Sequence, residues 1–477
     1  MSTYRKAGTF RTVAEVRDYL ASNQIDLPLA EETEHEALAQ PADLFGRRLP
    51  NRWAILPMEG WDCTASGAPS DLTRRRWLGF ARAGAGLVFG TEAGAVTHAG
   101  RSNPYQLLVS RENLPALKEA VAAMRRLHAE RFGTGGDFLV GLQLTHSGRF
   151  AHPNRSDVLE SAVAWTHPLL DRKFGAPRVV TDAEVGEIVR AYGEAARVAR
   201  DAGFDFVDLK HAHGYLAHDF LTAYGRPGPY GGSFENRTRF FRECVAAVHA
   251  AAPGLGVAGR FSIFDLIPFV KGPDGVGVPM EIPGVAGPGN YPFAFGGDGT
   301  GFGPDPELRE PLAFLRLCRD LGIELVCTTI ASPYYIPHAQ RPAYYPVSDG
   351  YLAPEDPMLG VGRQIRAVAQ AKAALPDLAL VSSGLTALQE WLPHVAQRLV
   401  REGLSDFAGY GRMVLSYPDL PADALRGGPL DKCRICRTFG DCTTAPRNGM
   451  VSGCYPLDPF YHSGPDAARV RSCKFHA

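Results

Sequence analysis

The chain lacks a charge imbalance, a long apolar run and an N-terminal signal region. Its 477 residues include 50 lysines and arginines against 51 aspartates and glutamates, so charge gives no reason to expect nucleic acid or an anionic membrane as a partner. No stretch of about 18 apolar residues occurs, which excludes a membrane-spanning helix. Met1–Tyr4 leads into a polar segment instead of the apolar core of a secretory signal. We therefore predict a cytoplasmic protein that acts on a small-molecule substrate.

Cysteine is also scarce, with nine in the whole chain, and five of these are scattered without the pattern of a secreted disulfide framework. The other four fall within 22 positions, with the spacing C-x2-C-x5-C-x11-C: Cys433, Cys436, Cys442 and Cys454. Four soft thiolates so close together usually share a metal centre, which is either an iron–sulfur cluster or one zinc ion. Zinc ribbons generally present two CxxC pairs and this chain has one, which favours the cluster over zinc or unligated thiols.

Hydrophobic residues make up 45% of the chain and recur as short apolar runs between longer amphipathic stretches. Eight runs have the length of buried strands: Trp53–Pro57, Leu87–Thr91, Phe138–Leu144, Phe206–Lys210, Gly256–Phe261, Glu324–Thr329, Ala379–Ser382 and Asp406–Gly409. Helical patterns lie between most of them, for example at Asn113–Glu130, Asp182–Ala202, Glu235–Ala252 and Pro306–Leu321. This alternation predicts an α/β fold of the (β/α)8 TIM-barrel type. A doubly wound open sheet is the rival, but it seldom needs eight units.

Two stretches interrupt the alternation. Residues 1–50 precede the first strand, and we expect them to pack across the floor or the flank of the barrel. Residues 264–304 are rich in glycine and proline and follow the fifth strand, so they should rise from the face where barrel active sites lie. Their aromatic residues favour a lid over a plain surface insertion: Tyr291, Phe293 and Phe295. The predicted division is a barrel over residues 1–430 and a cysteine segment over residues 431–477.

Five segments of the chain match, in order, the signature segments of a known family. They are ILPME (Ile55–Glu59), LQLTHSGR (Leu142–Arg149), VDLKHAHGYLAHDFLTAYGRPGPYGGSFENRTRFF (Val207–Phe241), VAGRFS (Val257–Ser262) and DFAGYGRMVLSYPDLP (Asp406–Pro421). Together they resemble the old yellow enzyme family of FMN-dependent NADH:flavin oxidoreductases. The four-cysteine motif just after the fifth segment resembles the iron–sulfur branch of that family, which includes 2,4-dienoyl-CoA reductase and trimethylamine dehydrogenase.

The resemblance implies an FMN that lies across the barrel mouth, with its phosphate held by the loops after strands seven and eight. On this basis the phosphate residues are Ser383, Gly384, Gly411 and Arg412. Gln143 and Arg260 would supply a donor and a positive charge to the flavin ring, which favours its reduced anionic form. The residues along the flavin edge would be Pro57, Met58 and Glu59. An ionised Glu59 would repel the reduced ring, so its place is the least secure of the set.

The resemblance also implies the residues that act on the substrate. Tyr215 matches the tyrosine that donates a proton to the substrate, and His213 matches the second of two side chains that polarise the substrate carbonyl. The first of these is usually histidine, and here it is Lys210. A lysine there could stabilise a developing enolate, bind a substrate carboxylate or pair with a nearby acid. These three roles stay open.

The cysteine motif implies a [4Fe–4S] cluster on Cys433, Cys436, Cys442 and Cys454, although the gap between Cys436 and Cys442 is wider than is usual in that branch. Larger members continue into a second nucleotide- or flavin-binding half, and this chain ends at Ala477. Two electron sources are therefore expected: NADH or NADPH at the barrel mouth, or an external electron-transfer protein that docks beside the cluster. A homo-oligomer is compatible with the sequence.

The leading hypothesis is an ene-reductase, in which hydride passes from reduced FMN to the C=C bond of an α,β-unsaturated carbonyl compound and Tyr215 donates the proton. The same residues could work in the oxidative direction, as amine or C–H dehydrogenation. A remote rival is a Schiff-base aldolase or lyase that uses Lys210 as its nucleophile, but it leaves the cysteine motif, Gln143 and Arg260 unexplained.

Overall fold

The computed structural model describes residues 4–32, 36–133, 137–287, 290–296 and 308–474. Eight parallel strands form a barrel: β1 (Trp53–Ile55), β2 (Leu87–Val88), β3 (Leu139–Thr145), β4 (Phe206–His211), β5 (Gly256–Ser262), β6 (Leu325–Thr329), β7 (Ala379–Val381) and β8 (Ala408–Tyr410). Neighbours in sequence pair from β1 to β7, β8 pairs with β1, and a bridge between Val381 and Phe407 joins β7 to β8. The predicted (β/α)8 barrel is confirmed.

The strands are buried on both faces, which is why the sequence shows them as continuous apolar runs. The surrounding helices are α1 (Asp71–Ala81), α2 (Leu114–Phe132), α3 (Asp182–Ala202), α4 (Arg239–Ala251), α5 (Arg309–Asp320), α6 (Pro357–Ala374), α7 (Leu392–Arg401) and α8 (Leu420–Leu425). Helix α3 has the predicted bounds because its ends are marked locally. Thr181 and Glu184 form a capping box at its start, and Gly203 ends it with a φ of 94°.

The segment before β1 closes the floor of the barrel, as predicted. Ala42–Leu44 and Arg47–Leu49 form an antiparallel hairpin. Leu44 and Leu49 of this hairpin belong to the same apolar cluster as Phe206 of β4. Farther back, helix Val13–Ser22 lies on the flank, where the hydroxyl of its Tyr19 donates to Asp356 at the start of α6 over 2.5 Å. The opposite end of the barrel therefore remains as the open mouth.

Short elements occupy the connections. The remaining strands are Ala93–Ala95, which pairs with β3, the parallel pair Ala162–Val163 and Arg178–Val179, and the antiparallel pair Phe269–Lys271 and Gly277–Pro279. The remaining helices are Ala7–Thr9, His98–Gly100, Gly148–Phe150, Pro168–Phe174, Leu216–Leu221, Phe234–Arg237, Pro337–Gln340, Leu385–Trp391, Met413–Ser416, Asp441–Arg447, Pro459–His462 and Ala467–Ser472. None of the described helices combines the length and hydropathy needed to span a bilayer.

The described part of the 264–304 insertion packs against the loops that follow β3 and β4. Tyr291 is buried, with its hydroxyl 3.0 Å from His167 Nε2. The Phe295 amide donates to Asp265 Oδ2 over 3.1 Å, and the Phe295 carbonyl accepts from the Asp265 amide over 3.0 Å. Residues 288–289 and 297–304 of the predicted lid lie outside the described residues. A lid function stays a prediction.

The C-terminal segment has an apolar cluster of its own, formed by Ala445, Met450, Tyr455, Tyr461, Ala467 and Val470. It is attached to the barrel by polar contacts. The Ser452 amide donates to Gly60 O over 3.0 Å, and Arg75 of α1 holds Asp458 through two hydrogen bonds of 2.8 and 2.9 Å. The proposed division at residue 430 remains a prediction.

Candidate functional site

An open cavity of about 230 Å³ lies at the barrel mouth. Its wall contains most of the predicted flavin residues: Pro57, Met58, Glu59, Arg260, Ser383, Gly384, Gly411 and Arg412. His213 and Cys442 line it as well. These residues come from the ends of five strands and from the C-terminal segment. They meet here because the carboxyl ends of parallel barrel strands all open at one face.

One side of the cavity is built from backbone. Gly384 follows β7 with a φ of +84°, and a Cβ at this position would lie 2.8 Å from Gln364 Oε1. The neighbouring Ser383 hydroxyl donates to Thr328 O over 2.7 Å, so it faces the barrel interior. Gly411 follows β8 beside Met58, where a Cβ would lie 3.3 Å from the thioether sulfur. Glycine at these positions lets the main chain itself approach a bound group.

Two arginines stand on the same side. Arg412 Nη2 donates to Pro342 O over 2.9 Å, but its Nη1 is buried without a partner among the described residues, as is Nη2 of Arg341. Burial, and then the charge of Arg412, lowers the pKa of Arg341 to about 9. Arg341 and Arg412 repel each other, and each has a donor without a partner among the described residues. A phosphate bound beside them and the glycine backbone would neutralise their charge and accept these hydrogen bonds. The residues on this side of the cavity therefore fit the FMN phosphate that the sequence predicts here.

Arg260 on β5 lines the adjacent wall and is 7% exposed, with its Nε buried and unpaired within the described chain. Behind it, Gln143 Nε2 donates to the carboxylate of Asp208. Burial raises the pKa of Asp208 to about 7, while Gln143 and Arg260 oppose the rise. Gln143 therefore lies near the predicted ring site, but its amide is turned to Asp208 and does not line the cavity.

His213 stands on a strained turn after β4, with a φ of +68°. Its carbonyl accepts a 2.6 Å bond from Ser332 Oγ, and its Nε2 accepts a 2.9 Å bond from the Gln340 amide. Burial, helped by the charges of Arg260 and Lys210, holds the pKa of His213 well below its usual range. The imidazole is therefore neutral, with its proton on Nδ1.

Tyr215 and Lys210 lie just behind the wall. Tyr215 is 2% exposed, and its hydroxyl is 3.0 Å from that of Tyr334, which does line the cavity. The Lys210 ammonium lies 3.7 Å from the centre of the Tyr215 ring. Burial raises the pKa of Tyr215, and burial lowers that of Lys210 to about 8. His211 points outward instead, with its ring edge-on to Phe241 of α4 at 4.8 Å.

Glu59 completes this side of the cavity. Its Oε1 accepts a 2.8 Å bond from Ser102 Oγ and a 3.0 Å bond from Trp61 Nε1. The Glu59 carboxylate is thus engaged by side chains of the loops around the mouth.

The cysteine segment reaches the same cavity through Cys442. Cys436 and Cys454 lie within electrostatic range of Cys442, whereas Cys433 is exposed. Burial raises the pKa of the Cys436 thiol, and Arg412 opposes that rise. In the described part of the chain, no three histidine, cysteine, aspartate or glutamate side chains are gathered closely enough to hold a metal ion. The donor chemistry fits a cluster, but the thiols are not assembled around one, and the cluster stays a prediction.

A larger groove of about 1150 Å³ runs outside the barrel between α1 and the C-terminal segment, with Cys433 in its wall. Its cations are already paired. Arg75 is held by Asp458, and Arg434 donates to Asp419 over 2.5 Å. It contains none of the predicted flavin residues, so the cavity at the barrel mouth is the candidate active site.

Several residues of the site were not predicted, among them Ser102, Asp208, Tyr334, Gln340 and Arg341. Tyr334 and Arg341 follow β6, at the barrel face where active-site residues lie, so their position carried a usable signal. Asp208 is a fully buried charged residue on strand β4, and that position was also a usable signal. The contacts of Ser102 and Gln340 depend on loop geometry and left no pattern in the sequence.

Comparisons with known proteins agree with this architecture. The NADPH dehydrogenase of Geobacillus sp. (strain WCH70) is 31% identical over 221 residues, which are 46% of this chain and 61% of that relative. Two solved structures share the fold. The complex of 2-naphthoyl-CoA reductase with 2-naphthoyl-CoA matches with a TM-score of 0.67 at 18% identity, over 91% of this chain and 58% of that one. Histamine dehydrogenase from Rhizobium sp. 4-9 matches with a TM-score of 0.64 at 19% identity, over 90% and 53%.

The chain thus spans about three fifths of the length of that curated relative. The sequence profile of the NADH:flavin oxidoreductase / NADH oxidase family matches residues 37–281, just over half of the chain. This range contains β1 to β5 and the turn of His213 and Tyr215. The family that the five sequence segments predict is confirmed: the chain belongs to the NADH:flavin oxidoreductase / NADH oxidase family of flavin-dependent oxidoreductases.

Proposed function

We propose that this protein is an FMN-dependent ene-reductase with a [4Fe–4S] cluster, which reduces the activated C=C bond of an α,β-unsaturated carbonyl compound. The proposal rests mainly on the cavity at the barrel mouth, where one wall suits a cofactor and the other carries groups that can polarise a substrate and donate a proton. One side offers glycine backbone and arginine donors that have no partner among the described residues. The other offers the neutral His213 and the hydroxyl pair of Tyr215 and Tyr334.

The first side would bind the cofactor. Gly384 and Gly411 would present backbone N–H groups to the phosphate, and Arg412 and Arg341 would neutralise its charge. Arg260 would place its positive charge against the ring. Gln143 could reach the ring only by leaving Asp208. When bound, FMN supplies the hydride for the alkene and is itself reduced by NADH, NADPH or an electron carrier.

The second side would bind the substrate and move protons. With Nε2 occupied by Gln340, His213 has its Nδ1–H left to polarise the substrate carbonyl, and a neutral imidazole can do so without giving up its proton. Tyr215 would be the source of the proton for the α-carbon. Lys210 faces the Tyr215 ring and does not line the cavity, so neither substrate-carboxylate binding nor Schiff-base chemistry is part of this proposal.

The cluster is proposed from the four cysteines. Cys442 lies in the cavity wall, so a cluster held there would stand next to the cofactor site, where electrons from an external protein could arrive. The substrate chemistry described above does not pass through it. The separation into a barrel over residues 1–430 and a cluster segment over residues 431–477 belongs to the same proposal, as does a small-molecule substrate.

The oxidative direction is the alternative within the same site, because a residue that is an acid in one direction is a base in the other. Of the two structural neighbours, one is named a reductase and the other a dehydrogenase. Both names are compatible with the residues at this barrel mouth.

The test is a two-step spectroscopic experiment on anaerobically purified, FMN-loaded protein. NADH or NADPH, or dithionite if neither works, should bleach the flavin absorbance, and 2-cyclohexen-1-one should then restore it. Tyr215→Phe should leave the bleaching unchanged and slow the recovery by about 100-fold or more, the size expected for a lost general acid. Failure of the wild-type protein to recover with the enone, combined with bleaching by amines alone, would replace the proposal with the oxidative alternative.

A further inference from the structure

Two tyrosines stand hydroxyl to hydroxyl at the barrel mouth, and only one of them faces the cavity. Tyr334 lines the cavity, whereas Tyr215 is 2% exposed and lies behind it. Their oxygens are 3.0 Å apart. A substrate in the cavity therefore meets the Tyr334 hydroxyl before it can meet that of Tyr215.

The hydrogen bond between the two phenols can run in either direction. Each hydroxyl carries a single proton to donate. When Tyr215 donates to Tyr334, the Tyr334 proton is left to point into the cavity. In that arrangement Tyr334 can give its proton to a substrate, and Tyr215 can replace the proton that Tyr334 loses.

The two phenols are held in place by packing and by the backbone. The Tyr334 ring is stacked on Phe150, with centroids 3.9 Å apart and planes 13° from parallel. The Tyr334 amide donates to Ser332 Oγ over 3.3 Å, and that same hydroxyl donates to His213 O over 2.6 Å. Ser332 thus joins the segment that carries Tyr334 to the turn that carries Tyr215. The hydroxyl contact follows from this geometry and is not a chance meeting of two mobile side chains.

The Lys210 ammonium stabilises a negative charge on Tyr215. It lies 3.7 Å from the centre of the Tyr215 ring, on the face where the π-electrons are concentrated. A cation there stabilises the phenolate more than the phenol, because the phenolate adds negative charge to the same ring. Tyr215 can therefore lose its proton for a moment more easily than burial alone would allow.

We propose that Tyr334 and Tyr215 act together as a two-tyrosine proton relay, in which Tyr334 exchanges the proton with the substrate carbon and Tyr215, beside the Lys210 ammonium, exchanges a proton with Tyr334. This inference rests on the proposed function. It differs from it in assigning direct contact with the reacting carbon to Tyr334, and in giving Lys210 a role on Tyr215.

In the reductive direction, hydride first reaches the β-carbon, and a C–H bond then forms at the α-carbon as the O–H bond of Tyr334 breaks. The Tyr334 oxygen takes the proton of Tyr215, which becomes a phenolate beside the Lys210 ammonium. A proton from solvent then reaches the pair through the cavity and restores both phenols, and the electrons come from the pyridine nucleotide or carrier. In the oxidative direction every transfer is reversed.

The test uses the FMN-loaded protein, reduced with dithionite and mixed with 2-cyclohexen-1-one. Tyr334→Phe and Tyr215→Phe should each slow flavin reoxidation by about 100-fold or more at saturating enone. The double variant should be no slower than either single variant, because the two hydroxyls act as one unit. The matched control is Tyr335→Phe, at the buried residue that follows Tyr334, which should keep the wild-type rate. A wild-type rate in either Tyr334→Phe or Tyr215→Phe would overturn the relay.

A second measurement separates the relay from the proposed function. Protein labelled with 3-fluorotyrosine gives one fluorine resonance per tyrosine, and the Tyr334 resonance is the one missing from Tyr334→Phe. Tyr215→Phe should shift it, because the partner hydroxyl is lost, and Tyr335→Phe should not shift it to the same extent. If the wild-type protein fails to use the enone but this shift is seen, only the proposed function is lost. An unmoved resonance would overturn the hydroxyl pair, and with it the relay, whatever the substrate.

Discussion

The sites at the barrel mouth and in the cysteine segment were both predicted from short sequence motifs, but their side chains are arranged differently in the structure. Arg260, Gly384 and Gly411 come from three different strand ends and line one cavity. In the cysteine segment Cys442 lines that cavity, Cys433 is exposed, and the thiols of the described chain do not form a metal-binding group.

The difference lies in what holds each set. Residues at the barrel mouth are positioned by the ladder of hydrogen bonds between parallel strands, for example the register that places Arg260 beside Lys210. The thiols stand on turns and on the short helix Asp441–Arg447, whose own backbone bonds do not direct four sulfurs to one point. In sites of that kind the metal–ligand bonds supply part of the folding free energy. On the proposed function, the barrel strands would position the flavin site, and the cluster itself would complete the cysteine site.

The largest expected effect comes from removing thiols. Replacing both Cys436 and Cys442 with serine should abolish bound iron and the broad visible absorbance of a cluster, because two of four ligands are lost. Bound FMN should remain, since the barrel strands position its site independently. Iron and FMN assays on the purified variant would check this. Cys473→Ser is the matched control and should keep its iron. Retention of iron in the double variant would show that the four cysteines are not its ligands.

A smaller effect is expected from Arg412→Gln, which removes a charge from the phosphate side of the cavity. The variant should bind FMN about 10- to 100-fold more weakly, the equivalent of roughly 1.5–3 kcal/mol for a hydrogen bond to a charged group. Riboflavin has no phosphate, so its affinity should be unchanged. Fluorescence titration of the flavin-free protein measures both. Arg426→Gln, at an exposed arginine outside the cavity, is the control. An equal loss of FMN and riboflavin affinity would contradict a phosphate role for Arg412.

The smallest effect is a pH dependence set by Lys210. Its pKa is lowered to about 8, first by burial and then by the charge of Arg260, while Glu59 and Asp208 raise it. The ammonium is therefore present below about pH 8 and lost above it, and reoxidation of the reduced flavin by 2-cyclohexen-1-one should slow as the pH rises from 7.5 to 9.5. Lys210→Met should be slow at pH 7.5 and show no further decline.

Neither Asp208 nor unfolding explains such a decline. Asp208, with a pKa of about 7, is already mostly ionised at the start of this range. Because the folded pKa of Lys210 lies below its ordinary value, the unfolded chain binds more protons between the two values, and this group stabilises the fold as the pH rises. A wild-type decline that Lys210→Met retains in full would remove Lys210 from the account.

The sequence predicted the fold well because burial leaves a direct pattern in it. Every predicted strand overlaps an observed one, and β4 ends one residue later than predicted, at His211. The ends of β1, β2 and β7 were predicted too late. At β1 and β2 the reason is that apolar residues continue into the buried loops at the barrel mouth, as Leu56 and Phe89 do. Helix boundaries were closest where caps mark them, as at Thr181 and Gly203.

The site was predicted less completely. Residues on strand ends converge because barrel topology requires it, so the positions of Arg260 and Gly411 followed from their order in the chain. The direction of a side chain depends on its neighbours instead. The amide of Gln143 is taken by Asp208, and Lys210 turns to the ring of Tyr215. Tyr334 meets Tyr215 because Ser332 ties two loops together, which no local pattern in the sequence records.

The central claim is that the chain holds a flavin at the barrel mouth and a cluster on its cysteines. The most direct test is to purify the protein anaerobically, record its visible spectrum, and assay flavin, iron, sulfide and zinc per chain. The account predicts one FMN with about four iron and four sulfide. Zinc without iron would reduce the cysteine segment to a structural metal site, and a colourless protein that neither retains nor takes up FMN would contradict the account.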